Sequence, residues 1–231
     1  MSTGFETVTP NGSALVIFIK APDPGAVKTR LAGKLGDATA LALYQCFVAD
    51  ILAMARETSR KTRVYYHPAQ AGDRVRSWLG GGLDIFPQTG DTLGEKMKNA
   101  LAETFAAGFT RAVVIGSDLP DLPPEIIDEA FDRLTAIPAV IGPSRDGGYY
   151  LIGFTAEGFA PSVFDDIPWG TETVFRKTLN RFRDQDIAPV ILPVWRDIDT
   201  IEDLDDLVLT LKEVPGPATH TRAYLEQEYD K

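Results

Sequence analysis

The feature of this chain that most restricts its fold is an alternation between short, continuous apolar runs and longer amphipathic segments. The runs at 14–19 (ALVIFI) and 112–116 (AVVIG) are rich in β-branched residues. Continuous runs of this kind are typical of parallel strands that are buried on both faces. Because segments of helical period separate the runs, we predict a single α/β domain with a mostly parallel central sheet and helices on both faces.

The predicted elements follow one another in strand–helix order. We predict strands over 14–19, 62–67, 83–86, 112–116, 139–142, 149–154 and 189–193. We predict helices over 31–59, 73–79, 93–107, 123–134, 171–182 and 201–211, the last with Thr200 as its N-cap. The chain has 231 residues and no long linker, so we expect one domain over 1–231, with a core of about 14–210 and a C-terminal arm over 213–231.

Composition argues against several classes of partner. The formal net charge of -10 disfavours nucleic acid and anionic membranes as partners, although local cations can still hold a small phosphorylated ligand. The one cysteine, Cys46, cannot form an intramolecular disulfide, and its apolar helical surroundings predict a buried, inert thiol. No N-terminal run is typical of a signal peptide or a membrane span, so we expect a cytoplasmic location.

A basic loop follows the first predicted strand and leads into a helix. It carries Lys20, Lys28 and Arg30, with Pro24 and Gly25 between them. Gly25 allows close approach of backbone N–H groups to an anion, and lysine and arginine neutralise phosphate oxygens. We interpret the loop as a phosphate cradle; the alternative is a solvated turn whose bases offset nearby acids. A Walker A loop is excluded because Val27 stands where that motif needs glycine, and no G-x-G-x-x-G follows the strand.

An aspartate follows the second buried run, in the segment GSDLPDLP. Asp118 is expected at the carboxyl end of a central strand, where ligands bind in sheets of this class. A carboxylate there suits Mg²⁺ or Mn²⁺ bridging diphosphate oxygens, and we predict Asp118 as a metal ligand. Asp121 is interpreted as an N-cap or Asx-turn residue before the next helix.

A second acid is predicted from the late segment DIDTIEDL. Asp197 and Asp199 flank Ile198 in an extended stretch, and we expect only one of the two to face the site. Asp199, next to the cap of the following helix, is the better candidate for a second metal carboxylate. The further acids of this segment are interpreted as a charged first helical turn favoured by the helix dipole.

Three further loops carry candidate ligand contacts. In RDGGYYLIG, Asp146 is a candidate ligand of a metal, a hydroxyl or an acceptor, and the alternative is a plain Asp-Gly hairpin turn. The loop TGDTLGEKM is interpreted both as a recognition loop for a base edge and as a capping box of Thr92 and Glu95. In PWGTET, Trp169 is a stacking platform or ordinary core, and Thr171 is predicted to cap the helix that carries Glu172.

These segments together resemble a known family. FIKAPDPGAVKTRL, TGDTLGEKM, GSDLPDLP, GPSRDGGYYLIG, PWGTETVF and DIDTIEDL, in this order, resemble the bacterial family of glycosyltransferase-like proteins known as DUF2064. The chain is also similar to the wider group of nucleotide-diphospho-sugar transferases of the GT-A fold. The resemblance covers roughly 14–210 and implies a Rossmann-like GT-A domain. It further implies a divalent metal at Asp118, a second acid at Asp199 and phosphate contacts from Lys20, Lys28 and Arg30.

The resemblance leaves three functions open. The first is glycosyl transfer from a nucleoside-diphosphate sugar to a small-molecule acceptor; the second is nucleotidyl transfer with pyrophosphate release; the third is a non-catalytic nucleotide-binding module. The D-x-D of many related glycosyltransferases is absent because Pro120 occupies its third position, and the glycine-rich opening loop of nucleotidyltransferases is absent too. For the two enzymatic functions we predict Asp118, Asp146 and Lys28 as catalytic, with Mg²⁺ or Mn²⁺ as cofactor.

The remaining contacts are predicted in two groups, with no nucleic acid or membrane partner expected. The residues predicted to contact the nucleotide or its phosphates are Lys20, Pro24, Gly25, Lys28, Arg30, Gly90, Leu93, Gly94 and Ser117. The residues predicted to contact the acceptor are Gly147, Gly148, Tyr149, Trp169, Thr171 and Glu172.

Overall fold

Seven strands form the central sheet. The computed structural model describes residues 12–213 and 216–228. The strands are β1 (Ser13–Lys20), β2 (Lys61–His67), β3 (Asp84–Pro87), β4 (Arg111–Ile115), β5 (Ala139–Pro143), β6 (Tyr149–Thr155) and β7 (Val190–Ile191). Their order in the sheet is β3-β2-β1-β4-β6-β5-β7. Strand β6 is antiparallel to its neighbours β4 and β5, and the other pairs are parallel. The predicted mostly parallel sheet is confirmed.

Helices cover both faces of this sheet, as predicted. They are α1 (Thr29–Leu35), α2 (Asp37–Glu57), α3 (Gly72–Leu79), α4 (Leu93–Ala106), α5 (Pro124–Arg133), α6 (Val174–Asp184), α7 (Ile201–Glu213) and α8 (Thr219–Glu228), with short 3-10 turns at Ala69–Ala71 and Pro161–Phe164. Because β1 is buried on both sides, its alternate residues enter two cores. Leu15 and Ile17 pack with α2 and α5, whereas Val16 and Phe18 pack with α4 and α6.

Two predicted helices have different bounds in the structure. The helix expected over 31–59 is two helices, because Gly36 adopts a φ of 83° that interrupts the helical backbone. The helix expected from residue 171 begins at Val174 instead. Thr171 lies in the preceding turn, where its hydroxyl donates to the carbonyl of Pro168 at 2.9 Å, so its predicted role as the helix cap is wrong. The capping box of Thr92 and Glu95 on α4 is confirmed.

Helix α8 ends the described chain and is held by a buried carboxylate. Asp50 of α2 is 2% exposed. Its oxygens accept from the backbone N–H groups of His220 at 2.8 Å and Thr221 at 2.9 Å, and from the Thr221 hydroxyl at 2.6 Å. These bonds satisfy donors that the first turn of a helix leaves without intrahelical partners. The predicted arm thus contains a docked helix. Residues 1–11, 214–215 and 229–231 lie outside the described part of the chain. One domain over 1–231 therefore stays a prediction.

We expect Asp50→Ala to lower the free energy of unfolding by about 1–3 kcal/mol, because it leaves buried N–H donors without an acceptor. Urea unfolding followed by circular dichroism measures the loss. Glu57→Ala, which changes an exposed acid at the end of the same helix, is the matched control and should change stability little. Equal stability of the Asp50 variant and the wild type would contradict this account of how α8 is held.

Helix α2 is also the one described helix that is long and apolar enough to cross a membrane by length and composition. Its 21 residues have a mean hydropathy of 1.6 in the most apolar window, and 56% of that window is buried in the protein. That burial is what a core helix shows. Cys46 on this helix is only partly buried, which corrects the sequence expectation. Burial and then the charge of Asp50 raise the pKa of its thiol to about 11, so the thiol stays protonated at neutral pH.

Candidate active site

The candidate site lies where the strand order of the sheet reverses. Strand β1 has β2 on one side and β4 on the other, and a crevice opens at the carboxyl ends of β1 and β4. Two adjoining cavities of about 430 and 540 Å³ occupy this crevice; we call them the first and the second cavity. Both are lined by Phe18, Arg30, Leu93, Gly116, Asp118 and Asp199. The predicted loops after the two buried strands therefore meet.

Two carboxylates that line both cavities hold a buried lysine of the first cavity. The ammonium of Lys28 lies 2.7 Å from Oδ1 of Asp118 and 2.8 Å from Oδ1 of Asp199. The lysine side chain is 3% exposed, whereas the carboxylate side chains are 39% and 46% exposed and face the crevice. Burial alone lowers the pKa of Lys28, but the two carboxylates outweigh it, so the pKa is raised and the ammonium is fully charged.

The backbone of Lys28 has an unusual conformation. Lys28 immediately precedes α1 and has φ 48° and ψ 43°, the left-handed region that non-glycine residues rarely adopt. The preceding turn is stabilised by the N–H of Ala26 donating to the carbonyl of Asp23 at 3.1 Å. Strained conformations of this kind persist where the surrounding structure requires them and are concentrated at functional sites. The ammonium also lies 5.6 Å from the centre of the Phe47 ring.

The ionisable side chains that line the first cavity are mostly bases. Lys20 and Arg30 line it as predicted, and they are joined by His67 at the end of β2 and Lys96 in the first turn of α4. The Nδ1 of His67 lies 3.5 Å from the ammonium of Lys96. Burial, then Lys96 and Lys20, lower the pKa of His67, so its ring is neutral at pH 7. Sequence reasoning missed both residues, although the place of His67 at the carboxyl end of a central strand is a usable signal.

A buried tyrosine connects the two loops of the first cavity. The hydroxyl of Tyr44 accepts from the backbone N–H of Lys20 at 2.7 Å, donates to the Lys20 carbonyl at 3.1 Å and lies 3.3 Å from Oγ of Ser117. Burial, and secondarily Asp118, raise the pKa of Tyr44, so it stays protonated. The sequence pattern indicates Tyr44 only as an apolar helix position. Its hydroxyl sets the spacing between the predicted phosphate contacts Lys20 and Ser117.

Four residues predicted to contact the nucleotide or its phosphates line neither cavity. Pro24 and Gly25 lie farther out on the loop after β1, where Gly25 has a φ of 72°. Gly90 has a φ of 113°, and a Cβ there would lie 2.6 Å from the Cβ of Glu95 in the capping box. Gly94 is packed so closely that a Cβ would lie 2.7 Å from the Trp169 ring. The glycines at 90 and 94 are therefore required by packing, and ligand contact at all four stays a prediction.

The second cavity begins at the hairpin between β5 and β6. Oδ1 of Asp146 accepts from the backbone N–H of Gly148 at 2.9 Å and from the hydroxyl of Ser144. Asp146 and Gly148 line the cavity, while Gly147 does not; a Cβ on Gly147 would collide with the backbone of Glu172. The segment is thus a hairpin turn that also presents a carboxylate to the cavity, and ligand contact by Asp146 stays a prediction.

Aromatic rings and a second loop complete this cavity. Tyr149 and Trp169 line it, with ring centroids 6.1 Å apart in an edge-on arrangement, and Thr171 and Glu172 lie at its edge. Burial, chiefly, raises the pKa of Tyr149, so its hydroxyl is not a base at neutral pH. The structure therefore brings five of the six predicted acceptor residues to one cavity, Gly147 being the exception.

The prediction that only one acid of the late segment faces the site is wrong. Asp197 and Asp199 both line the second cavity, and Ile198 between them is fully buried in the opposite direction. In an extended segment, residues two apart lie on the same face, which is the physical reason. Burial, followed by the charges of Asp118, Asp199 and Asp146, raises the pKa of Asp197 to about 7.

Asp121, in contrast, is directed away from both cavities. Its oxygens accept from the indole N–H of Trp195 at 3.2 Å and pair with Arg196 at 3.4 Å. Helix α5 begins at Pro124 without a side-chain cap, so the predicted capping role of Asp121 is wrong. The residue instead attaches the loop after β4 to the segment that leads to Asp199.

The acids at the junction fit a hard divalent cation. Asp118 and Asp199 each use one oxygen for Lys28, and both side chains remain partly exposed to the crevice. Carboxylate oxygens are the ligands that Mg²⁺ prefers, and this ion is commonly held by one or two carboxylates together with substrate phosphates. Within 12–213 and 216–228, no group of three or more His, Cys, Asp or Glu residues forms a complete protein cage. The arrangement thus suits an ion that arrives with a phosphorylated ligand.

Comparison with known proteins connects this site to a family. Residues 50–171, more than half of the chain, match the model of the family described as "Uncharacterized protein conserved in bacteria (DUF2064)". The chain is 30% identical over 212 residues to a phosphoenolpyruvate guanylyltransferase from Conexibacter woesei, covering 87% of this chain and 90% of that protein.

Solved structures agree with the fold. A candidate nucleotide-diphospho-sugar transferase from Desulfovibrio desulfuricans G20 matches with a TM-score of 0.89 and 38% identity, covering 94% of this chain and 95% of that one. Rv0371c from Mycobacterium tuberculosis, in complex with manganese, matches with a TM-score of 0.52 at 18% identity over 86% of this chain and 98% of that one, which concerns the fold alone. The chain therefore belongs to the DUF2064 family, and its fold is that of the nucleotide-diphospho-sugar transferases.

Proposed function

We propose that the protein is a metal-dependent transferase that moves a glycosyl group from a nucleoside-diphosphate sugar to a small-molecule acceptor. The observation that carries the proposal is the buried Lys28 held between Asp118 and Asp199 where a basic cavity meets an acidic one. A basic cavity suits phosphates, and an adjoining cavity with its own carboxylate suits a reacting hydroxyl. The 38% identical relative from D. desulfuricans supports this donor class.

In the first cavity, cations hold the diphosphate of the donor. Lys20, Arg30 and Lys96 neutralise phosphate oxygens, and the neutral ring of His67 adds a hydrogen bond. A divalent cation at Asp118 and Asp199 would supply further neutralisation of the leaving diphosphate. Manganese in the Rv0371c structure supports the choice of Mg²⁺ or Mn²⁺. Lys28 stays charged beside the same carboxylates and adds a fixed positive charge where negative charge develops.

In the second cavity, Asp146 receives the proton of the acceptor. The acceptor hydroxyl oxygen bonds to the anomeric carbon of the donor sugar, and the bond from that carbon to the β-phosphate oxygen breaks. The nucleoside diphosphate leaves with the electron pair, and the proton passes to the carboxylate of Asp146. The hydrogen bonds from Gly148 and Ser144 to Oδ1 fix the orientation of this carboxylate, which is what a general base requires.

Nucleotidyl transfer is the second candidate, and the guanylyltransferase relative from C. woesei favours it. In that reaction an acceptor oxygen bonds to the α-phosphorus of a nucleoside triphosphate, and the bond from that phosphorus to the bridging oxygen breaks, releasing pyrophosphate. The cations of the first cavity suit a triphosphate as well as a diphosphate. The two functions differ in what is released, so product analysis separates them.

A thermal-shift screen followed by product analysis tests the proposal. Nucleoside triphosphates and nucleoside-diphosphate sugars are each added with and without Mn²⁺, and a ligand at about 100 times its dissociation constant should stabilise the fold by roughly 2.7 kcal/mol. The best ligand is then incubated with mixed acceptors, and chromatography detects nucleoside diphosphate or pyrophosphate. We expect nucleoside diphosphate. Pyrophosphate would establish the second candidate, binding without either product would indicate a non-catalytic module, and no shift at all would refute a nucleotide site.

A further inference from the structure

We propose that the acceptor is an uncharged, polyhydroxylated compound with an apolar ring face, and that the second cavity rejects phosphorylated and carboxylated acceptors. This inference rests on the proposed function and deepens it, since it names the substrate class of the second cavity. It contrasts with the anionic compound in the name of the C. woesei relative. The charges, the rings and the free carboxylate oxygens of that cavity support it.

The charges of the two cavities have opposite signs. The second cavity is lined by five acidic side chains and, among its described lining residues, by the single guanidinium of Arg30. Of these acids, Asp197 has a pKa raised to about 7 and carries only part of a negative charge at neutral pH. The carboxylates belong to Asp118, Asp146, Glu172, Asp197 and Asp199. Arg30 also lines the first cavity, where donor phosphates would compete for it. Sites that recognise phosphate or carboxylate groups use clusters of arginine and lysine, which is the opposite of this lining.

Cations beside Asp118 and Asp199 do not make the second cavity positive. Lys28 lies against Asp118 and Asp199, and a divalent ion held by the same two acids would be neutralised by that pair and by the donor phosphates. Asp146 and Glu172 line the second cavity and not the first, and neither forms an ion pair with a base within the described residues. An acceptor phosphate placed among these acids would be repelled without a compensating partner.

The same acids are well suited to hydroxyl groups. A carboxylate accepts hydrogen bonds at two oxygens, and only Oδ1 of Asp146 is used by the hairpin. Glu172 is exposed at the cavity edge, and its neighbour Thr171 has a hydroxyl that is already directed to the Pro168 carbonyl. Two carboxylates on different loops can therefore accept from several hydroxyls of one ligand.

An apolar surface lies beside these acceptors. Trp169 and Tyr149 contribute their rings, and Leu93 is 47% exposed at the boundary between the cavities. The Trp169 ring is held by close contact with Gly94, where even a methyl group would collide. A pocket that combines aromatic surface with a few directed polar groups fits the apolar face and hydroxyl rim of a sugar or cyclic polyol.

Ligand-observed NMR on the full-length protein tests the inference without needing turnover. The probes form two matched sets. One set is glucose with glucose 6-phosphate and gluconate, and the other is myo-inositol with its monophosphate. Each probe is measured with and without the nucleotide that gives the largest thermal shift, and no Mn²⁺ is added. At equal concentration we expect the neutral members to bind at least about tenfold more tightly than their anionic partners, because like charges are poorly screened in the cavity. Trp169→Ala should abolish neutral binding, and Leu209→Ala, which changes an exposed apolar residue outside both cavities, should not.

Glu172→Lys provides a second test that does not depend on the packing of Trp169. It replaces an exposed acid at the cavity edge with a base, which should attract the anionic probes. We therefore expect the ratio of the dissociation constant of each anionic probe to that of its neutral partner to fall by at least about fivefold. Anionic probes binding as well as neutral ones, or neither class binding, would overturn the inference. If the donor screen succeeds and these probes fail, the acceptor inference alone is wrong; if no donor binds, the proposed function itself fails.

Discussion

Replacing Asp118 with asparagine should lower turnover at least about a hundredfold and remove the metal-dependent part of nucleotide binding. The asparagine side chain keeps the shape of the aspartate but lacks the charge that a divalent cation and Lys28 both require. Lys28 would retain Asp199 at 2.8 Å, so the fold should persist. Thermal shift with nucleotide, with and without Mn²⁺, separates loss of metal from loss of folding, and initial rates with the product assay measure the catalytic effect.

The matched control for this variant is Asp121→Asn. Asp121 lies in the same loop, three residues on, but its oxygens face Trp195 and Arg196 and not the cavities. This control should lower stability, because it weakens a buried ion pair, while leaving the metal dependence of nucleotide binding unchanged. If the Asp118→Asn protein still binds nucleotide with full metal dependence, Asp118 is not a ligand of the ion and the proposed site is misassigned.

Replacing Lys28 with methionine should have opposite effects on metal binding and on turnover. In the free protein the ammonium already occupies the space between Asp118 and Asp199, at 2.7 and 2.8 Å. Removing it leaves two adjacent carboxylates without a cation, so Mn²⁺ should bind more tightly in the absence of nucleotide, by about tenfold or more. Turnover should nevertheless fall by about a hundredfold or more, because the fixed positive charge beside the donor is lost.

Electron paramagnetic resonance of free Mn²⁺ measures the first effect, and the product assay measures the second. Methionine has a similar length and can stay against Phe47, so the buried side chain should remain packed. Lys34→Met, which changes an exposed lysine on the helix that Lys28 precedes, is the control and should change neither quantity. Weaker Mn²⁺ binding in the Lys28→Met protein would show that Lys28 supports the ion site and does not compete with it.

Local patterns in the sequence are sufficient to predict the central strands of the sheet and the position of Asp118 at their carboxyl ends. A buried parallel strand needs apolar side chains on both faces, so the runs at 14–19 and 112–116 identify central strands without any knowledge of their neighbours. Residues that follow such strands lie at one edge of the sheet, which is why the loops carrying Lys20 and Asp118 are expected to meet. The capping box of Thr92 and Glu95 is predictable for a similar reason, because it depends on residues three apart.

The error over Asp197 and Asp199 has a local cause, because residues two apart in an extended segment share a face, and both acids line the second cavity. Helix boundaries are less predictable, because they depend on geometry beyond one element: the helix expected from Thr171 begins at Val174. The break at Gly36 likewise separates α1 from α2 within a stretch that has a continuous helical pattern. Such boundaries depend on where the chain must turn to pack, and periodicity carries little information about that.

By itself, then, the sequence determined the strand–helix alternation, the edge of the sheet that holds the site, and the residue types available there. The tertiary structure decided which charges meet. Lys28 and Asp199 are 171 positions apart, and the fold brings their side chains to 2.8 Å, with Lys28 in the left-handed region and Ile198 buried beside Asp199 in the chain. The tertiary structure likewise brings Tyr44, His67 and Lys96 to the site from separate parts of the chain. An electrostatic contact depends on distance in space, whereas a sequence pattern reports only distance along the chain.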